Sequence, residues 1–240
     1  MNNKLFHSLD EACNMATGYL VTVNMQHLYE LQSNVGLATL FRTAPDMNVC
    51  VDGRGAELVI RKSVGRRIPI VVGNELTKAL LDRNPAESFL IIGSKRKYIE
   101  QLRQLYPHAR FDHDDGMFDI SSQQDARQLA GRFAEHDLSA YRAVFIALGV
   151  PKQEMLASEL SAMHGGARFY CIGGSFEMIT GGLKRAPRLV QAAGMEALWR
   201  LLLQPSKGRL RRAFKTYYHF LRFYLDPKTA ELPLALRPAR

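Results

Sequence analysis

Residues 47–61, MNVCVDGRGAELVIR, contain the strand-to-helix turn around which we interpret the rest of the chain. An apolar run ends at Asp52, and Gly53 and Gly55 let the backbone turn at once into a helix expected to begin near Ala56. Asp52 is therefore predicted at the carboxyl end of a strand, where open α/β sheets bind ligands. A carboxylate there can accept a proton from a bound nucleophile. An Asp before glycines is also a common helix cap, and this motif alone favours the cap.

The rest of the chain alternates short apolar runs with longer helical patterns, which predicts an α/β fold with a mostly parallel sheet covered on both faces. The predicted strands are residues 19–23, 49–52, 69–72, 89–93, 109–112, 143–148 and 169–172. The predicted helices are residues 25–44, 54–63, 75–83, 96–106, 123–135, 151–163 and 187–203.

Composition and charge limit the possible functions. Of the 240 residues, 47% are hydrophobic and 23% are charged, as in an ordinary soluble protein. The apolar runs fall short of the roughly 20 residues needed to span a bilayer, and the N-terminus lacks a secretion pattern, so we expect a cytoplasmic protein. The formal net charge is +9, and residues 205–240 carry nine Lys or Arg against two acids, a net +7. A basic segment suits anionic lipids, nucleic acid or phosphorylated ligands, and charge alone does not choose among them.

Polar side chains also follow the first predicted strand. Thr22 and Asn24 would lie beside Asp52 if the two strands were neighbours. Asn24 taken alone is better interpreted as a helix cap. His27 could act as an acid, a base or a phosphate partner, but a single His is more often a structural hydrogen bonder.

Two later strand-to-helix turns are rich in glycine. In GVPKQE, residues 149–154, Gly149 allows close backbone approach and the helix start attracts phosphate, while Gln153 and Glu154 offer hydrogen-bonding groups. In GGSFEMITGG, residues 173–182, the first two glycines follow a strand as in a nucleotide-binding turn. The GxGxxG pattern of dinucleotide-binding folds is missing from the sequence, which disfavours a dehydrogenase.

Other charged residues have competing interpretations. Asp112 and Asp114 form a DxD pattern that could hold a divalent metal on a sugar nucleotide, although acids before a glycine more often form a solvated turn. We therefore expect no metal site. Arg185, which precedes a predicted helix, could bind a diphosphate with two hydrogen bonds or could be a surface charge. An amphipathic packing role is expected for Glu196, Trp199 and Arg200.

The segment from Arg209, RLRRAFKTYYHFLRFYLDP, has the pattern of a basic amphipathic helix. Cations flank an apolar stripe, an arrangement that suits a membrane surface. Packing of this helix on its own domain or on a second subunit fits the pattern nearly as well. The predicted stripe consists of Leu210, Phe214, Tyr217, Leu221 and Tyr224.

Taken in order, five motifs resemble the WecG/TagA/CpsF family of bacterial glycosyltransferases. They are TVNMQH (22–27), VDGRG (51–55), LGVPKQE (148–154), IGGSFEMITGGLKRAP (172–187) and GMEALWRLLLQP (194–205). The resemblance implies a Rossmann-like domain over residues 1–204 with a basic helical membrane-associating appendage over residues 205–240. It also implies metal-independent, inverting transfer without a cofactor, from a UDP-sugar to a polyprenyl-diphosphate-linked saccharide at the cytoplasmic membrane face.

Each site residue follows from the same resemblance. Asp52 matches the general base, and Thr22 and Asn24 match the polar pair beside it. The residues matching groups that bind the nucleotide, the diphosphates or the membrane are Gly53, Gly149, Gln153, Glu154, Gly173, Gly174, Arg185, Arg209 and Arg212. The sequence departs from the family pattern at GMEALWRL and at residues 204–207, where acceptor contacts are expected.

The sequence therefore predicts a UDP-sugar hexosyltransferase of cell-surface polysaccharide or exopolysaccharide synthesis. The donor sugar would be N-acetylmannosamine, glucose or a related hexose or uronic acid. We expect peripheral association with the inner membrane, possible homo-oligomers and no nucleic acid partner. The alternatives are a basic nucleic-acid- or membrane-binding module without transferase activity, and a metal-dependent transferase that uses Asp112 and Asp114.

Overall fold

A computed structural model describes residues 4–116, 119–192 and 194–230. Within these ranges, six parallel strands form one sheet in the order β2-β1-β6-β5-β3-β4. The strands are β1 (Gly18–Val23), β2 (Met47–Val51), β3 (Ser88–Gly93), β4 (Arg110–Asp114), β5 (Ala143–Ala147) and β6 (Arg168–Cys171). This parallel sheet confirms the predicted Rossmann-like α/β fold.

Helices cover both faces of the sheet. They are α1 (Leu9–Cys13), α2 (Met25–Ser33), α3 (Val35–Thr43), α4 (Arg54–Val64), α5 (Gly73–Arg83), α6 (Arg96–Leu105), α7 (Gln123–Gly131), α8 (Lys152–Met163), α9 (Ser175–Ile179), α10 (Arg188–Ala192), α11 (Glu196–Leu203) and α12 (Lys207–Leu225). Successive strand residues alternate between two cores: Val21 packs with α2, α3, α4 and α8, whereas Leu20 packs with α1, α5 and α6. A sheet buried on both faces explains why its strands read as continuous apolar runs.

The predicted strand at residues 69–72 is wrong. This segment makes one bridge between Val51 and Ile70, and the Val71 N–H donates to the Val51 carbonyl oxygen at 2.9 Å. Pro69 has no N–H to donate, and α5 begins at Gly73, so the segment ends before a ladder can extend.

Two predicted helices are each divided. Residues 25–44 form α2 and α3 because the Asn34 side chain accepts the Leu37 N–H at 2.9 Å and caps α3. Residues 187–203 form α10 and α11, and Gly194 between them has φ +70°, a left-handed conformation that suits glycine. A Cβ at Gly194 would lie 3.6 Å from the Gly55 backbone nitrogen, so α11 begins close to the start of α4.

Helix α12 packs along one side against α2, α4 and α11. Phe223 is fully buried, and the His219 ring stacks on Tyr29 with ring centres 5.2 Å apart. Packing on its own domain, which the sequence left as an alternative, therefore occurs. Residues 231–240 of the predicted appendage lie outside the described ranges.

Candidate active site at the carboxyl edge of the sheet

Four adjacent strands bring most of the predicted site residues to one edge. Asp52 follows β2, Asn24 follows β1, Gly173 follows β6 and Gly149 follows β5, and these strands are consecutive in the sheet. Strands β1 and β2 pair directly. This pairing brings Thr22 on β1 near Asp52, which follows β2. The carboxyl edge is where parallel sheets bind ligands.

Asp52 is half-buried and does not cap α4. The N-cap position of α4 is Gly53, which has φ +87° and no side chain with which to cap the helix. The Asp52 carboxylate instead lies near the Gly73 backbone at the start of α5, which lowers its pKa. An added Cβ at Gly73 would lie 3.2 Å from Thr22 Oγ1 and 3.6 Å from Asp52 Oδ2, so these three residues meet closely.

The surroundings of Asp52 raise its pKa to about 6 from an ordinary value of 3.8. Burial is the largest cause, since removal from water disfavours the charged carboxylate. Arg200 opposes the shift and Glu196 adds to it, while the Gly73 backbone and His27 also lower the pKa. A base with a pKa near 6 is ionised at neutral pH yet remains basic enough to accept a proton.

Helix α11 supplies residues that the sequence analysis treated as packing residues. Every residue of α11 is at least partly exposed, and Glu196 and Arg200 are close enough to Asp52 to affect its ionisation. Burial also raises the pKa of Glu196, while Arg200 and Arg185 oppose that shift. The Trp199 indole N–H donates to the Lys184 carbonyl oxygen at 3.1 Å, which ties α11 to the preceding loop. In the sequence, a contribution of α11 to the site was indicated by GMEALWRL, which belongs to one of the five motifs of the family resemblance.

Thr22 and Asn24 have different surroundings. The buried Thr22 hydroxyl donates to the Cys171 carbonyl oxygen at 3.3 Å and lies beside Gly73 near Asp52. The Asn24 side chain accepts the Gln26 N–H at 2.9 Å and caps α2. The cap predicted for Asn24 is therefore present.

The glycine turns after β5 and β6 share one buried side chain. Gln153 Oε1 accepts the Gly149 N–H at 3.2 Å and the Gly173 N–H at 3.0 Å. Gly149 has φ +82° and Gly173 has φ +53°, whereas the adjacent Gly174 is exposed. Gln153 thus links the two turns, and it is only 3% exposed.

Glu154 and His27 form a buried pair beneath the same turns. His27 Nε2 lies 3.0 Å from Glu154 Oε1, and the Gln153 amide donates to that oxygen at 2.7 Å. The Asn24 backbone N–H lies 3.2 Å from His27 Nδ1. His27 is therefore a structural hydrogen bonder, as the commoner interpretation of a single His predicted.

The predicted phosphate-binding arginines make contacts with the protein. Arg185 Nη2 lies 2.5 Å from Glu75 Oε1, and Arg209 Nη2 lies 3.8 Å from Glu177 Oε1. Arg212 is exposed on α12 and affects the ionisation of Tyr29. Arg209 and Arg212 lie on α12, whereas Arg185 lies in the loop between α9 and α10.

The DxD carboxylates have protein partners. Tyr141 donates its hydroxyl hydrogen to Asp112 Oδ2 at 2.8 Å, and Arg132 Nη2 lies 2.8 Å from Asp114 Oδ2. Among residues 4–116, 119–192 and 194–230, no group of three or more His, Cys, Asp or Glu side chains could hold a metal ion. The solvated turn predicted for these acids is wrong, because Asp112 and Asp114 belong to the edge strand β4, where each carboxylate contacts a protein side chain.

In the part of the chain that the structure describes, no helix is both long enough and apolar enough to cross a membrane. A family model described as "Glycosyl transferase WecG/TagA/CpsF family" matches residues 2–231, nearly the whole chain. This match includes the four strand ends, Asp52 and α12. The protein therefore belongs to the WecG/TagA/CpsF family and is a glycosyltransferase of cell-surface polysaccharide synthesis.

Proposed function

We propose that the protein transfers a hexose from a UDP-sugar to a polyprenyl-diphosphate-linked saccharide at the cytoplasmic face of the membrane. The observation that carries this proposal is the half-buried Asp52 carboxylate at the sheet edge, with a pKa of about 6. A carboxylate in that state suits the activation of a sugar hydroxyl near neutral pH. The family match supplies the reaction class.

Asp52 acts as the general base in a single displacement. It accepts the proton of the acceptor hydroxyl while that oxygen attacks the anomeric carbon of the donor. The bond from the anomeric carbon to the UDP oxygen breaks, and UDP leaves with the bonding electron pair. Attack opposite to the leaving group inverts the anomeric configuration. Thr22, which lies near the carboxylate, helps to orient the acceptor, and Asn24 supports the site by fixing the start of α2.

The donor binds against the glycine turns that follow β5 and β6, where Gly149, Gly173 and Gly174 allow close backbone approach, and Gly53 does the same in the turn after β2. Positive charge from Arg185 and Arg200 neutralises the leaving diphosphate without a metal ion. Arg209 and Arg212 on α12 contribute to acceptor diphosphate binding. Arg185 and Arg209 would exchange their contacts with Glu75 and Glu177 for contacts with phosphate.

The exposed side of α12 supports membrane binding. At 100° per residue, five of its exposed apolar residues fall within about 80° of the helix circumference. Arg211, Lys215 and Arg222 follow within about the next 60° on one flank. Such a stripe can enter the acyl boundary while the cations contact anionic head groups. The stripe consists of Leu210, Phe214, Tyr218, Leu221 and Leu225.

This stripe differs in part from the predicted one. Leu210, Phe214 and Leu221 are exposed as predicted, whereas Tyr217 is partly buried and its hydroxyl accepts the Leu198 N–H at 3.4 Å. Tyr224 is 38% exposed and lies over Lys62, with Nζ 4.4 Å from its ring centre.

UDP release from a panel of UDP-sugars tests the proposed activity. The assay is run with and without a short-chain prenyl-diphosphate-linked sugar, first in EDTA and then in magnesium. Acceptor-dependent release in EDTA is expected and would identify the donor. Release only in magnesium would favour the metal-dependent alternative, and strongly salt-dependent nucleic acid binding without sugar transfer would favour the binding-module alternative.

A further inference from the structure

A buried hydrogen-bonded chain connects the ends of β1, β5 and β6. It runs from the Asn24 backbone through His27 and Glu154 to Gln153, whose amide oxygen accepts two glycine N–H groups. His27 and Gln153 are 1% and 3% exposed, and Glu154 is fully buried. Side chains this deep act on a ligand through the backbone that they hold.

Burial of the Glu154 carboxylate costs folding free energy, so stability alone does not explain this residue. Its Oε2 is buried and finds no hydrogen-bond partner within the described part of the chain. A buried carboxylate oxygen without a partner costs free energy that an apolar side chain would avoid. The pairing of Glu154 with His27 and Gln153 therefore indicates a requirement other than stability.

The hydrogen bonds of Gln153 indicate that the requirement is a fixed spacing between two glycine turns. Gly149 and Gly173 lie at the ends of adjacent strands, and a single amide oxygen fixes the separation of their backbone nitrogens. A diphosphate that contacts both turns needs this separation to be set before it binds, because misplacement by about 1 Å can cost about 100-fold.

We propose that Gln153, Glu154 and His27 are positioning residues for the donor. They hold the Gly149 and Gly173 turns at the spacing that a nucleoside diphosphate requires, and they do not contact the donor themselves. This role replaces the direct nucleotide contact that the sequence predicts for Gln153 and Glu154. It rests on the proposed function, because the ligand of the two turns is the UDP portion of the donor.

The test measures UDP affinity by titration calorimetry at a temperature where each variant is folded. Gln153→Met removes the acceptor of both glycine N–H groups, and His27→Leu removes the donor to Glu154. His27→Gln restores an amide N–H near the position of Nε2. Tyr170→Phe is the matched control, because the buried Tyr170 hydroxyl lies on the strand that leads to Gly173 but donates to the Ala12 carbonyl oxygen, at 3.2 Å.

We expect Gln153→Met and His27→Leu to weaken UDP binding by about 10- to 100-fold. His27→Gln should recover most of the affinity that His27→Leu loses, and Tyr170→Phe should bind UDP as the wild type does. If Gln153→Met does not fold, the two His27 variants decide.

Wild-type UDP affinity in the folded Gln153→Met or His27→Leu protein would overturn the positioning role. An equal loss in Tyr170→Phe would overturn it too, because general destabilisation would then explain the effect. If the wild-type protein itself does not bind UDP, the proposed donor is wrong and the positioning role falls with it. The wild-type titration therefore separates failure of the function from failure of the inference.

Discussion

Replacing Asp52 with Asn should stabilise the protein while it inactivates the enzyme. The pKa of Asp52 rises from 3.8 to about 6 on folding, chiefly because of burial. Each pKa unit corresponds to about 1.4 kcal/mol, so ionised Asp52 lowers the free energy of unfolding by at most about 3 kcal/mol. Asn has nearly the same shape as Asp and no charge to bury, so it avoids this cost.

Because folding raises the pKa of Asp52, the loss of stability caused by its ionised form depends on pH. Well below pH 3.8 the carboxyl is protonated in both the folded and the unfolded states, so the penalty is zero. The penalty grows as the pH rises from 3.8 to about 6 and is constant above that. The gain in stability of Asp52→Asn should therefore be complete at pH 8, about half as large at pH 5 and lost at lower pH.

Thermal unfolding of both proteins across this pH range provides the assay. For a chain of this size, about 3 kcal/mol corresponds to a melting temperature increase of up to about 10 °C. Asp46→Asn is the control, because Asp46 is an exposed carboxyl near the opposite end of the same strand. Equal melting temperatures at pH 8, or a gain that does not change with pH, would refute the argument from burial.

Four further substitutions test other parts of the account. Phe214→Ser removes a side chain that is 73% exposed, so it should change stability by less than about 0.5 kcal/mol yet weaken binding to anionic vesicles by about 10- to 100-fold. Phe223→Ala, on the packed side of the same helix, should instead destabilise the fold by about 3–5 kcal/mol in denaturant unfolding. Thr22→Val loses the hydrogen bond to Cys171, about 1 kcal/mol, and should lower kcat by about 10-fold or more, whereas unchanged kcat would exclude its orienting role. Gly73→Ala places a methyl group 3.6 Å from Asp52 Oδ2, so the apparent pKa in the pH dependence of kcat/KM should rise above about 6, and an unchanged profile would contradict this.

The alternation of short apolar runs and helical patterns was sufficient to predict the parallel α/β sheet. Strand order could not be predicted in the same way, because it depends on long-range pairing that local patterns do not encode. The break at Asn34 could have been found, since an Asn before a helical pattern is a strong cap signal. The failed strand at residues 69–72 could also have been questioned, because its first residue is Pro69.

The proximity of Asp52 and Thr22 was implied by the family resemblance, whereas the residues alone made it conditional on their strands being neighbours. The two strands do pair, and the roles of both residues remain predictions. The contributions of Gly73 and Glu196 to the Asp52 environment could not be predicted, because α5 and α11 reach it through tertiary packing. The sequence did not indicate that the Gln153 side chain points inward. Its two glycine partners are 4 and 20 residues away along the chain, and only the folded chain brings all three together.

The central claim is that Asp52 activates the acceptor hydroxyl. Acceptor-dependent UDP release, measured as kcat/KM from pH 5 to pH 8 for the wild type and for Asp52→Asn, tests it most directly. The account predicts a wild-type rate that falls below an apparent pKa of about 6. It also predicts an Asp52→Asn rate that is about 100- to 10,000-fold lower at pH 8, with UDP affinity retained. An Asp52→Asn enzyme that turns over at nearly the wild-type rate would contradict the claim.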